Sequence, residues 1–173
     1  MSKKIFIFSI IIFLIIFSFL IFNFKKVEVK AEGSTVWQSC ETGTLSCDNA
    51  WNYTTGYKFT PTINGQVTKL CGFFSGTKWV RLYDSSYTIL ASVQVSSSNN
   101  WVCNSITPVN VVAGSVYYVV AEIASSGGCW RNGAVLPKTC NNVTINASVL
   151  QSPSGTFDTN HLEYGGAMYG MVD

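Results

Sequence analysis

Between residues 57 and 123 the chain alternates. Runs of four to eight β-branched and aromatic residues are broken by Gly, Asn, Ser or Pro. Neighbouring side chains on a strand point to opposite faces, so a period of two is what half-buried antiparallel strands leave in a sequence. In residues 78–83, Val80 and Leu82 face a core, and Trp79, Arg81 and Tyr83 face the other way. In residues 116–123, Tyr117, Val119, Ala121 and Ile123 share one face. Tyr118, Val120 and Glu122 share the second, which the acid marks as the wetter one.

The same pattern predicts strands over 59–63, 67–74, 88–95, 101–106, 109–112, 142–151 and 167–172. Asn64-Gly65 predicts a hairpin joining the first two. Asp84-Ser85-Ser86 predicts a turn, and residues 96–100 an exposed loop. Pro108 lacks an N–H, so it belongs at an edge or a strand end. Residues 125–139 read as irregular and 152–166 as a long polar loop. About eight to ten strands with regular turns predict an all-β domain: a two-sheet antiparallel β-sandwich of the jelly-roll kind.

Residues 5–24 break this pattern. They carry no charge and follow Lys3 and Lys4. They match the roughly 20 residues that a helix needs to cross a bilayer. Two readings fit: a signal peptide cut after Ala31, where Val29-Lys30-Ala31 places small residues before the bond, or a retained signal-anchor. Residues 1–31 are thus the export segment and 32–173 the domain, outside the cytoplasm in either case. If the segment is uncleaved, it is the chain's contact with the membrane.

Charge narrows the partners. The formal +2 of the chain belongs to the export segment, because from Glu32 onward six basic residues face eight acidic ones. A sparsely charged, mildly acidic domain has no basic stripe and is not built for nucleic acid. All six cysteines (Cys40, Cys47, Cys71, Cys103, Cys129 and Cys140) follow the export segment, with no CxxC and a single His. Three disulfides in an oxidising compartment account for them better than zinc does. Many pairings are open. The simplest set is Cys40–Cys47, Cys71–Cys103 and Cys129–Cys140, the middle one tying neighbouring strands.

Candidate chemistry is sparse. Exposed aromatic rings stack on sugars, and Trp130-Arg131-Asn132, in a Gly-rich and Cys-bracketed stretch, is the best such cluster; Trp51 and Tyr53 are its companions. Trp79 and Trp101 sit in or at the ends of strands, where packing is the expected role. Asp158 and Glu163, flanking His161, offer oxygen ligands for a structural calcium ion, the one metal the loop suggests. No other cofactor is implied. A small secreted hydrolase would need His161 or paired carboxylates in a pocket, and no G-x-S-x-G elbow marks a nucleophile.

The order of several pieces resembles bacterial extracellular jelly-roll accessory modules. These are a turn at Gly65, Val80-Arg81-Leu82-Tyr83-Asp84, Leu90-Ala91-Ser92-Val93, and Trp101 after a Ser/Asn run. Pro108 to Gly114, Tyr117-Tyr118-Val119-Val120, and the closing stretch from Met168 follow. The resemblance covers residues 57–123 and the C-terminus. It implies a carbohydrate-binding-module-like fold and an accessory, non-catalytic role, and it brings no catalytic residues. The expected function is recognition of a glycan or cell-surface polymer. The alternative is a structural subunit of a surface layer or filament, which would self-associate.

Overall fold

A computed structural model describes residues 42–48, 52–169, 171 and 172. The predicted export segment, Cys40 and Trp51 lie outside them. Among the described residues every regular element is a strand, and no helix is long and apolar enough to cross a membrane. The strands are β1 (Thr44–Asp48), β2 (Tyr53–Pro61), β3 (Gly65–Asp84), β4 (Ile89–Val111), β5 (Tyr117–Ala124) and β6 (Gly128–Asn132). Then come β7 (Lys138–Cys140), β8 (Val143–Gln151), β9 (Leu162–Tyr164), β10 (Ala167–Tyr169) and β11 (Met171–Val172). All pair antiparallel, in a three-stranded sheet β1-β6-β10 and an eight-stranded sheet. In the larger sheet the order β11-β3-β5-β2-β8-β7 is extended by β4 beside β3 and β9 beside β8.

The long strands are the main departure from expectation. Residues 96–100 are not a loop: β3 and β4 pair along nearly their whole length, Gly65 opposite Val111 at one end and Tyr83 opposite Ile89 at the other. Pairing with β3 holds a serine-rich run of low intrinsic strand preference in the ladder. The hairpin is not flat. The register slips between Phe74 and Ser75, where Asn99 is the extra residue, with φ of 56°, and Gly76 beside it has φ of 87°. Such a bulge bends its strand. Leu70 and Phe74 on one side of the bend and Val80 and Leu82 on the other therefore enter one core. Across the bend Asn104 Nδ2 donates to Gln94 O at 2.7 Å. Pro108 is on an edge strand, since among the described residues β4 pairs only with β3.

Asn64-Gly65 turns the chain without making a hairpin. β2 pairs with β5 and β8, and β3 with β4, β5 and β11. The turn is held by other partners: the Ala113 N–H donates to Asn64 Oδ1 at 2.8 Å and the Gly114 N–H to Pro61 O at 2.9 Å.

The core is the inner face of β2, β3, β5 and β8. Tyr57 and Phe59 meet Tyr117, Val119, Ala121 and Ile123, with Val80, Leu82 and Ile145 beside them. Phe59 stacks on Tyr117 at 5.7 Å. Ile145 and Val149 would share a face on a regular strand. The shift between Lys58 and Phe59, opposite Asn146, sends Ile145 inward and Val149 outward.

One disulfide bears out the expected pairing and another corrects it. Cys71–Cys103 joins opposed residues of β3 and β4 as predicted. Cys47 pairs with Cys129, not Cys40, because β1 and β6 set these two residues directly opposite each other. Cys129 is thus not joined to Cys140, which is itself disulfide-bonded. Short loop closures look natural in a sequence, but the register of non-local strands decides which sulfurs meet.

Two neighbours on β2 are sensitive in opposite directions. Gly56 lies between Val120 and Val149, and a Cβ there would collide with the Val119 carbonyl and approach Val120 Cα to 2.7 Å. Thr55 is fully buried, and its hydroxyl finds no hydrogen-bond partner among the described residues. Gly56→Ala should lower the unfolding free energy by about 2–3 kcal/mol through overpacking. Thr55→Val should raise it by about 1 kcal/mol by removing an orphaned buried hydroxyl. Urea denaturation of the two variants beside the parent checks both signs.

Candidate functional site

The outer face of the large sheet is divided. One half is covered by residues 152–161, contrary to the expectation that Glu122 marks a wet face. Tyr118 and Val120 are buried there with Tyr83, Val149 and Phe157. Phe157, the one buried hydrophobic residue of 152–161, lies 5.2 Å from the Tyr83 ring, 5.3 Å from Tyr118 and 4.9 Å from His161. Burial, then the hydrogen bond with Tyr87, raises the Tyr118 pKa, so this phenol stays neutral. Polar contacts fasten the loop. Gly155 N donates to Thr54 Oγ1 at 3.0 Å and Ala124 N to Ser154 Oγ at 2.9 Å. Gln151 and Asp158 exchange two bonds, Asp158 N to Gln151 Oε1 at 2.8 Å and Gln151 Nε2 to Asp158 Oδ1 at 2.9 Å.

This loop also holds the residues expected to bind calcium or to act as a base. His161 Nδ1 is 2.7 Å from the Asp158 carbonyl, and Nε2 is 3.3 Å from Glu163 Oε1. Its side chain is only 5% exposed. Both ring nitrogens face oxygen acceptors of the protein, in a packing role against Phe157 and Tyr118. Lys58 Nζ reaches both oxygens of Glu163, at 3.0 and 3.3 Å. The Asp158 and Glu163 carboxylates thus have separate protein partners. Among the described residues no three His, Cys, Asp or Glu side chains are grouped to hold a metal ion.

The other half of the outer face is open. Trp79 and Arg81 project from β3, Ser92, Gln94 and Ser96 from β4, and Glu122 from β5. The cross-strand register makes this patch: Trp79 opposes Gln94 and Arg81 opposes Ser92. Val80 opposes Ala121, which sets Glu122 beside Trp79 one step further on. Trp79 is 40% exposed, which corrects its expected packing role; Trp101 does pack, edge-on against Phe73 at 5.9 Å. Arg81 Nε donates to Glu122 Oε1 at 2.6 Å and Nη1 to Ser92 Oγ at 3.1 Å. Its guanidinium carbon lies 5.2 Å from the centre of the indole. The ring is therefore held from one side by a cation that is itself fixed. Beside the patch, Lys78 Nζ donates to the carbonyls of Ile123 and Ser126, at 2.6 and 2.7 Å, and fastens the end of β5. Burial lowers the Lys78 pKa.

The predicted Trp130-Arg131-Asn132 cluster lies on β6, the middle strand of the small sheet, and not in a loop. Strand alternation divides it. Trp130 and Asn132 share a face, where the indole N–H donates to Asn132 Oδ1 at 3.2 Å. Arg131 points to the opposite face, its Nη1 3.1 Å from Gly43 O. Trp130 and Arg131 are half-buried and Asn132 is exposed. Tyr53 opens β2, half-buried, opposite Ala124. The signal for the open patch was present in the sequence as the alternation of Trp79 and Arg81 with Val80 and Leu82. What it lacked was the register that adds Ser92, Gln94 and Glu122. No family model, curated protein or solved structure matches the chain.

The loop has a pH dependence of definite sign. Hydrogen bonds from the Asn160 backbone and from Gln151 hold Asp158 below its ordinary value of 3.8. Burial opposes ionisation of Glu163, but hydrogen bonds from Lys58 and His161 outweigh it and hold it below 4.5. Carboxylates depressed on folding stabilise fully above their ordinary values, and that stability is lost as pH falls through the folded ones. The melting temperature should thus fall below about pH 4. Glu163→Gln should flatten that acid slope. Thermal unfolding followed from pH 7 to pH 3 checks both.

Proposed function

We propose that this chain is an exported, disulfide-stapled jelly-roll module that recognises a glycan or other cell-surface polymer without transforming it. The observation that carries the reading is the open patch around Trp79. An indole presents a negative π face to the C–H groups of a sugar ring. Gln94, Ser92, Ser96 and Glu122 offer donors and acceptors at ring height for its hydroxyls. The patch stands on the rigid side of a packed sheet, so little ordering is needed on binding. Oxidised cysteines support an extracellular setting. On a glycan array, Trp79→Ala should reduce the signal at least tenfold, while Trp130→Ala should leave it unchanged. An unchanged signal from Trp79→Ala would remove the patch from the reading.

The alternative, a structural subunit of the cell exterior, is favoured by one observation. The 23 residues of β4 contain no Asp, Glu, Lys or Arg, and β4 lies on an edge. Edge strands are ordinarily protected by charge, so an uncharged one can pair with a copy of itself. Light scattering over a concentration series should then show a dimer that Ser98→Lys with Thr107→Lys dissolves. A monomer at all concentrations argues for the binding module alone.

A further inference from the structure

The electrostatics of the open patch say more about its ligand than the exposed ring does. It contains one cation and one anion, and they are already joined. The Arg81–Glu122 side chains are 23% and 17% exposed, in contact at 2.6 Å. Arg81 has its remaining contacts in Ser92 and the indole. The other groups at ring height, Thr77, Gln94 and Ser96, are neutral, and Thr77 and Ser96 are bonded to each other at 2.6 Å. Lys78 has the opposite strand parity and is committed to two carbonyls. A carboxylate or sulfate entering here would meet no free cation among the described residues of the patch. It would have to break a half-buried ion pair, leaving Glu122 without its partner, or sit close to that carboxylate. Uncharged hydroxyls meet no such penalty, and they match the hydroxyl, amide and carboxylate acceptors present.

We infer that the Trp79 face takes an uncharged polysaccharide and rejects chains bearing uronate or sulfate groups. This rests on the glycan-binding reading above and adds a substrate class to it. The same geometry makes Glu122 the group that enforces the choice, since its removal leaves the patch with a cation at its centre.

Affinity electrophoresis of the full chain tests this, in native gels cast with neutral polymers (a soluble β-glucan, a galactomannan, dextran) or acidic ones (polygalacturonate, alginate, heparin). The expected result is at least twofold retardation in one or more neutral gels and none in the acidic gels. Trp79→Ala should abolish the retardation. Glu122→Gln should acquire at least twofold retardation in an acidic gel. Retardation of the parent by acidic polymers, lost in Trp79→Ala, overturns the inference and leaves the glycan reading standing. Retardation that survives Trp79→Ala places binding elsewhere and overturns it too. No retardation of the parent in any gel overturns both. Should Glu122→Gln misfold, seen as loss of its near-UV circular dichroism, the comparison of parent and Trp79→Ala across the gels still decides.

Discussion

A hairpin of two strands, 20 and 23 residues long, has to fold back on itself to bury one continuous apolar face. The rest of the molecule depends on that bend. At about 3.3 Å per residue each strand would run well beyond the span of a domain this size if straight. The bulge at Asn99 and the permissive backbone of Gly76 let Leu70 and Phe74 approach the same core as Val80 and Leu82. Ser97 braces the bend, its Oγ donating to Asn100 O at 2.5 Å. Once the hairpin is bent, its far half takes β5 as a neighbour and its near half takes β11.

The same strand then serves two purposes without conflict. Leu70, Phe74, Val80 and Leu82 of β3 fill the core, and Trp79, Arg81 and Tyr83 build the outer face. Along that face the sheet passes from a covered half, where Phe157 and His161 lie over Tyr83, Tyr118 and Val120, to an open half around Trp79. The boundary falls near Arg81, which supports the indole on one side and, through Glu122, ties β3 to β5. The exposed Trp79 patch is thereby carried on a long strand of the large sheet and not on a loop.

Much of this was legible in the chain before its structure. The all-β class, the inward facing of Val80 and Leu82, the Cys71–Cys103 clasp and the edge position of Pro108 all follow from local pattern. What escaped was non-local. Residues 96–100 have the composition of a loop, and only their pairing with Phe74 to Thr77 makes them strand. Asn64-Gly65 has the chemistry of a hairpin turn, but β2 and β3 find other neighbours. Cys129 stands nearer to Cys140 along the chain and opposite Cys47 in space. For the candidate site, alternation identified Trp79 and Arg81 as outward. It could not tell that the neighbouring half of the face is roofed over and that theirs is not, because the roof is a polar segment whose only apolar anchor is Phe157.

The two clasps also differ in when they can close. Cys71 and Cys103 are separated by 32 positions, both within one hairpin. Cys47 and Cys129 are separated by 82, and that interval contains the first pair. Were the chain to enter an oxidising space from its N-terminus, its inner loop would be available for closure before Cys129 arrives. The hairpin can be locked in register first, and the outer clasp then records that β1 and β6 have found each other around it. The nesting sets the clasp of the bent hairpin inside the larger loop that the outer clasp closes.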